Sequence, residues 1–261
     1  MAETRTWDGQ SYDRISGPME ALGLAVLERL ELRGDETVLD AGCGSGRITQ
    51  ALIERVPDGH VIAVDASQSM VDAARKRLPD ADVRRVDLLE LELDKPVDAI
   101  LSTATFHWIG DHARLFERLR GALAPGGQLV AQCGGEGNID VLRGHANDVL
   151  AREPYAEHFK GFQPPWNYAG AEQTRDRLLA AGFSDAECWL QPAPKQPEHP
   201  REFLSDIVLG PHYQHLPAEL REPFIDDVLA KLGEPVVVDY VRLNIDASVS
   251  ASDARPLSSS A

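Results

Sequence analysis

A short apolar strand that runs straight into three closely spaced glycines constrains this chain more than any other feature. Thr37-Val38-Leu39 leads into Asp40-Ala41-Gly42-Cys43-Gly44-Ser45-Gly46. Ile48, Leu52, Ile53 and Val56 then share one face of a helix. Glycines between a strand and a helix let the backbone approach a ligand closely and aim its amides there.

The alternation continues downstream. His60 to Val64 is a second apolar strand, ending at Asp65. Met70, Val71, Ala74 and Leu78 line the next helix, with Ser67 or Ser69 as its cap. Val83 to Val86 reads as a third strand ending at Asp87, and Val97 to Leu101 as a fourth. Asp111 caps a helix carrying Leu115, Leu119 and Leu123. Pro125-Gly126-Gly127 stops it, and Gln128 to Cys133 is a fifth strand. Upstream, Gly17-Pro18 marks the start of a helix whose face holds Leu22, Val26, Leu27 and Leu30. Such alternation predicts an α/β fold with a parallel sheet covered on both faces and right-handed crossovers. Ligands of these sheets lie at the carboxyl ends of the strands, where the glycines, Asp65 and Asp87 all fall.

After Gly134 the pattern changes. Residues 137–168 read as irregular helix and loop, Thr174 to Leu179 as a helix, and Ala186 to Leu190 as a strand. Residues 200–232 read as helical and Val236 to Ile245 as a last strand. The expected organisation is one domain over residues 1–248. Its core spans about 19–134, 170–193 and 234–248, and two inserted helical blocks, about 137–168 and 199–233, form a lid over the strand ends. The tail from Val249 to Ala261 is small and polar, and is expected to be frayed.

The chain has 261 residues and a formal net charge of −16. An acidic surface repels phosphate backbones and anionic lipid heads, which disfavours a nucleic-acid or membrane-surface binder. No apolar run approaches the roughly 20 residues of a membrane span. The three cysteines, Cys43, Cys133 and Cys188, form no disulfide framework or metal-ligand spacing. With no secretory signal at the start, a cytoplasmic protein without a metal is expected, acting as a monomer or homodimer.

The spacing of the glycine loop is Gly-x-Gly-x-Gly, with Arg47 following Gly46. A dinucleotide loop uses Gly-x-Gly-x-x-Gly instead. Asp40, two residues before the first glycine, faces a pyrophosphate poorly and suits a ligand with an ammonium or sulfonium group. Asp65 suits ribose hydroxyls, and Asp87 can accept from an exocyclic amine such as adenine N6. Together these describe adenosine carrying a cationic amino-acid tail, which is S-adenosylmethionine.

In these residues the chain resembles the class I S-adenosylmethionine-dependent methyltransferases, most clearly over about 34–134. The resemblance implies a Rossmann-like, doubly wound, mostly parallel seven-stranded sheet whose last strand is antiparallel. It implies that Asp40 and the Gly42 and Gly44 backbone hold the methionine end and that Asp65 holds the ribose. Met70 then packs near the adenine, while Asp87 and Leu88 read its edge. Ala41, Gly46, Ala66, Thr103 and Ala104 complete the cofactor set.

A narrower resemblance is to the trans-aconitate methyltransferase group. It rests on Trp7 and Tyr12, Phe106-His107-Trp108, Asp111-His112, Leu115-Phe116 and Gln132. It implies a small-molecule acceptor, preferably a carboxylate, whose pocket includes Trp7, Tyr12, His107, Trp108 and Trp166. Ile15-Ser16-Gly17-Pro18 lacks the Arg that precedes the corresponding Pro in that group. A carboxylate is ionised at neutral pH and needs no general base. A phenol or an amine acceptor would need one, for which His107 and His112 are the candidates, with Tyr12 and Tyr168 after them; the alternative is O- or C-methylation of a phenolic or natural-product acceptor with a histidine base. Arg143, Arg152 and Arg175 are candidate cations for a substrate carboxylate. A cofactor-binding regulator and an NAD-linked enzyme are the readings from other classes.

Overall fold

The computed structural model describes the backbone of residues 17–252 and the side chains of residues 20–252. Seven strands appear in chain order: β1 (Thr37–Ala41), β2 (His60–Asp65), β3 (Asp82–Arg85), β4 (Val97–Thr103), β5 (Leu123–Gly134), β6 (Asp185–Pro192) and β7 (Val241–Ser248). They form one sheet in the order β3-β2-β1-β4-β5-β7-β6. Strands β1 to β5 run parallel, and β7 inserts antiparallel between β5 and β6.

The central strands are apolar on both faces because each face carries a layer of helices. Val38 joins Val26, Leu30, Leu52 and Leu101 on one side. These residues bring α1 (Gly17–Leu27) and α2 (Arg47–Arg55) onto the sheet. The next residue, Leu39, points to the other face and joins Ile100, Phe116, Leu119 and Leu178. That face is covered by α4 (His112–Ala122) and α6 (Ala171–Ala180), while α3 (Gln68–Arg77) packs beside β2 and β3. Each such fully buried side chain contributes about 1.5–3 kcal/mol.

The inserted blocks have a core of their own. In the first, α5 (Asp140–Leu150) buries Leu142, Ala146 and Val149. In the second, a turn at Pro200–Glu202 continues as a π-helix over Phe203–Val208, followed by α7 (Gly210–His215) and α8 (Ala218–Leu232). Phe203, Leu204, Phe224 and Val228 pack against the buried face of α5. Among the described residues, no helix is long and apolar enough to cross a membrane.

Three local expectations are corrected. The last strand begins at Val241, not Val236. Val238 and Tyr240 turn into the core of the inserted blocks. Asp239 is drawn to the first turn of α5, where its carboxylate accepts from the amides of Val141 (2.8 Å) and Leu142 (3.1 Å). The cap before α3 is not a serine hydroxyl. Asp65 Oδ1 accepts from Ser67 N at 2.8 Å, and Ser67 Oγ contacts Ser69 Oγ instead. The chain is also not frayed at Val249. That side chain is 3% exposed, and its amide donates to the Gly127 carbonyl while its carbonyl accepts from Gly126 N. Residues 253–261 lie outside the described residues.

Val249 therefore contributes to stability. Val249→Ala should lower the unfolding free energy by about 1–3 kcal/mol, from two lost methyl groups and the void they leave. Urea titration that finds no change would place Val249 outside the folded unit.

Candidate active site at the carboxyl ends of the strands

The glycine loop is pinned on two sides. Gly42 N and Cys43 N both donate to the Val64 carbonyl, each at 2.9 Å. Gly44 N donates to Asp65 Oδ2 at 3.0 Å. The amides of residues 42–44 are thus turned inward, and what the glycines offer a ligand is close approach, not donors. Gly42, Gly44 and Gly46 all have positive φ, a conformation that favours glycine. A methyl group on Gly42 would lie 2.1 Å from Thr105 Oγ1, whereas one on Gly44 would meet nothing within 4 Å.

Asp40 lies beneath this loop and is 1% exposed. Its Oδ2 accepts from Thr49 Oγ1 at 2.7 Å, and its Oδ1 is buried without a partner. Burial first, and the nearby Asp65 charge second, push its carboxyl up to about 6. Asp65 is also shifted upward by burial, against the opposing effect of its two amide bonds. Met70 and Leu88 are buried nearby in the chain, and Ala66 accepts from Arg85 Nε through its carbonyl. Asp87 is exposed and accepts from Leu89 N at 2.9 Å, capping a short turn.

A second feature opens after β4. Thr105 Oγ1 contacts the carbonyls of Thr103 (3.0 Å) and Gly42 (3.2 Å), tying the post-β4 turn to the glycine loop. Ala104, one residue away, lines a cavity with His107, Trp108, Asn138, Ile139, Trp166, Tyr168, Tyr240 and Arg242 among its walls. Ala104 (φ 54) and Ile139 (φ 55) are the two non-glycine residues with positive φ among those described. Such strain gathers where surrounding structure fixes a site, and both residues face this cavity. Trp166 stacks on Tyr168 with centroids 5.8 Å apart, and Trp108 lies 6.2 Å from Trp166.

His107 is 8% exposed, and its Nδ1 accepts from Gly134 N at 3.3 Å. Its proton is therefore on Nε2. Burial, then the Arg242 and His112 charges, hold it well below the ordinary histidine range. Tyr168 is pushed above its usual range by burial, and burial raises Cys133 to about 12. His112 is not in the cavity wall; its ring Nε2 bonds the Phe106 carbonyl at 2.9 Å and holds the turn.

Comparison with known proteins gives these features a family. A methyltransferase domain model matches residues 38–127. A trans-aconitate 2-methyltransferase of Acidovorax sp. (strain JS42) is 36% identical over 87% of this chain and 89% of its own. That of Variovorax paradoxus is 29% identical over 91% and 93%. The chain belongs to the S-adenosylmethionine-dependent methyltransferases, in the family of the trans-aconitate enzymes. Among solved structures, a phosphoethanolamine N-methyltransferase of Haemonchus contortus, complexed with S-adenosylhomocysteine, matches with TM-score 0.61 and 22% identity. That match covers 93% of this chain and 56% of the other. The YcgJ protein of Bacillus subtilis matches with TM-score 0.62 and 18% identity, over 88% and 98%. These likenesses speak for the fold: a Rossmann-like sheet with flanking helices.

The methyltransferase uses S-adenosylmethionine as its donor. The residues present fit that group: a buried carboxylate oxygen lacks a partner beneath a loop with open space at Gly44. Of the acceptor residues expected from sequence, His107, Trp108 and Trp166 meet in one cavity. Trp7 and Tyr12 lie outside the described residues. Gln132 is buried against Asn244, which also accepts from Arg29, so its side chain serves the sheet. Arg143 pairs with Asp140 at 2.6 Å and lines a larger cavity of about 610 Å³, which no residue of the glycine loop or sheet enters.

Sequence reasoning missed Arg242. It is 4% exposed, it lines the smaller cavity, and its Nε has no hydrogen-bond partner. The signal was present: a single cation one residue into an apolar strand, Val241-Arg242-Leu243-Asn244-Ile245. In β7 it pairs with Gly134, at the carboxyl end of β5.

The two glycines should separate folding from binding. Gly42→Ala should cost about 1–3 kcal/mol of stability through backbone strain and the Thr105 clash. Gly44→Ala should cost about 1–2 kcal/mol, the left-handed penalty alone. Thermal and urea unfolding of both variants would measure the difference; a Gly44 variant less stable than the Gly42 variant contradicts this loop geometry.

Proposed function

We propose that this enzyme methylates a carboxylate of a small organic acid, giving a methyl ester and S-adenosylhomocysteine. One observation carries the reading: among the described residues lining the cavity beside the glycine loop, none is ready to take a proton at neutral pH. His107 already uses Nδ1 as an acceptor for Gly134 N. Tyr168 and Cys133 are held protonated by burial. An acceptor that must lose a proton finds no base among these residues, whereas a carboxylate arrives ionised. The names of the relatives, trans-aconitate methyltransferases, agree with an acid acceptor.

Within this reading the remaining chemistry is positioning. Bound S-adenosylmethionine supplies a methyl group activated by a sulfonium. Asp40 Oδ1 takes the ammonium of its amino-acid end, and the bare edge at Gly44 leaves room for that end. Asp65 accepts from the ribose with the lone pairs its two amide bonds leave free, and Asp87 and Leu88 flank the adenine. Trp108, Trp166 and Tyr168 wall the acceptor cavity and keep it poor in water, which favours a reaction that neutralises charge. His107 donates through Nε2–H into the cavity and is not a base.

Two outcomes test this. In a panel of acids and phenols, only acids should yield S-adenosylhomocysteine. His107→Gln should retain activity within about tenfold, because loss of a general base costs about 10²–10⁴. Phenol methylation with a collapse in His107→Gln restores the histidine-base alternative.

A further outcome concerns pH. Asp40 must be ionised to pair with the ammonium, and its carboxyl sits at about 6. Affinity for S-adenosylhomocysteine should therefore fall as pH drops through about 6, by about tenfold at pH 5. The cofactor-free protein responds with opposite sign. A carboxyl raised on folding contributes stability that is fully present below its unfolded value near 3.8 and is lost as pH rises through about 6. Calorimetric titrations at pH 7.5 and 5 that agree within twofold would remove Asp40 from the site.

A further inference from the structure

We propose that Arg242 is the specificity residue of the acceptor site, and that it holds a carboxylate of the acceptor other than the one that is methylated. This inference rests on the carboxylate reading above.

The first step is the state of the guanidinium. Arg242 is 4% exposed. Its Nε has no hydrogen-bond partner, and among the described residues no carboxylate forms an ion pair with it. Its guanidinium carbon lies 5.6 Å from the centroid of the Tyr240 ring. A buried charge is paired or is costly to keep. Other buried arginine chemistry in this chain shows the ordinary solution. Arg29, half-buried and reaching the same face of β7, bonds Asn244, the Ala131 carbonyl and Asp246. Arg242 has no such set, and it lines a cavity. Its planar fork of donors matches a carboxylate supplied from outside.

The second step is which carboxylate. Methyl transfer removes the negative charge from the reacting oxygen. An ion pair to that oxygen would be strongest in the ground state and fade toward the transition state, which opposes the reaction. It would also draw electron density from the nucleophile. A non-reacting carboxylate keeps its charge throughout, so a guanidinium holds it equally in substrate and transition state. The neutral Nε2–H of His107, in the same cavity, suits the reacting group, because it can orient an oxygen without neutralising it.

The third step is place. Arg242 stands opposite Gly134 in the β5–β7 register, one residue from Cys133. Ala104, which joins the cavity to the glycine loop through Thr105, bonds the Gln132 carbonyl on the other edge of β5. The cation and the cofactor loop are thus on opposite sides of the end of β5. An acid spanning that end presents one carboxylate to each side.

The test uses acids on one propene skeleton: trans-aconitate with three carboxylates, glutaconate with two and crotonate with one. Arg242→Gln should raise KM for trans-aconitate and glutaconate by about 10- to 100-fold, the scale of a charge-assisted bond. Its kcat should change less than fivefold, as expected when uniform binding is lost. Crotonate should be a poor acceptor with the same kcat/KM in both proteins, and Arg242→Lys should recover part of the loss. Affinity for S-adenosylhomocysteine, measured alongside, reports on folding; if the glutamine variant fails to fold, Arg242→Lys carries the comparison of KM across the three acids. Equal losses for all three acids, or a fall in kcat alone, would overturn the assignment while leaving carboxylate methylation standing. Methylation of no acid, with phenols accepted instead, would overturn the carboxylate reading and this inference together.

Discussion

Two backbone amides converge on one carboxylate, and the open end of the sheet is organised around that convergence. Asp65 Oδ2 receives Gly44 N and Oδ1 receives Ser67 N. One side chain thereby fixes the glycine loop after β1 and the start of α3 after β2. The bonds are charge-assisted, the class that contributes most per contact. They also have a cost, since the carboxylate is largely withdrawn from water and its carboxyl is shifted upward. The second carboxylate, Asp40, is buried deeper and has only Thr49 as partner. A loop held by Asp65 over an incompletely bonded Asp40 is thus electronegative on its inner side and sterically open at Gly44. A ligand with a cationic end relieves both conditions at once.

The parts of this architecture that repeat a local physical rule were legible in the chain. Alternation of apolar strands with 3.6-periodic helices gave the order of elements from β1 to β5, because each element's burial is written in its own spacing. The glycines and Asp65 were legible because a strand-to-loop junction admits few residue types. What could not be read depended on partners distant in sequence. Whether Val236 to Tyr240 joins the sheet is decided by Asp239 finding the amides of α5 about a hundred residues earlier. Val249 looks like the start of a polar tail, yet two bonds to the Gly126-Gly127 turn bury it. The tautomer of His107 depends on Gly134 N, a contact that no spacing encodes. Arg242 belongs to the same class: its position in an apolar strand was visible, but not that its neighbours leave it unpaired.

The acceptor cavity joins two conditions that favour one reaction type. Its walls are largely aromatic, and burial keeps His107 and Tyr168 neutral, so among the described residues it offers no proton acceptor. Its one buried cation has no internal counterion among the described residues. A site built to deprotonate a phenol would show the reverse, a paired base kept near neutral pH and no unmatched charge. Ala104 and Ile139 both take positive φ at the cavity wall; the Gln132 carbonyl holds Ala104 through its amide, and the packing of the inserted blocks holds Ile139.

The overall charge of −16 argues against an anionic substrate only at long range, and distance decides the balance. Surface carboxylates act through water, and beyond about 8 Å at physiological ionic strength they are largely screened. A guanidinium at about 4 Å in a site of intermediate dielectric is worth about 4 kcal/mol before desolvation. The local term therefore exceeds the sum of screened distant ones, and the acidic surface slows approach more than it weakens binding. Separation, not screening, keeps the buried Asp40 and Arg242 from cancelling each other, because β4 and β5 lie between their strands. They stand on different strands, β1 and β7, and each has a buried atom without a hydrogen-bond partner. Two opposite charges held apart in this way select two different ends, a cation at the glycine loop and an anion across β5, and the carboxyl end of that strand is where the two must meet.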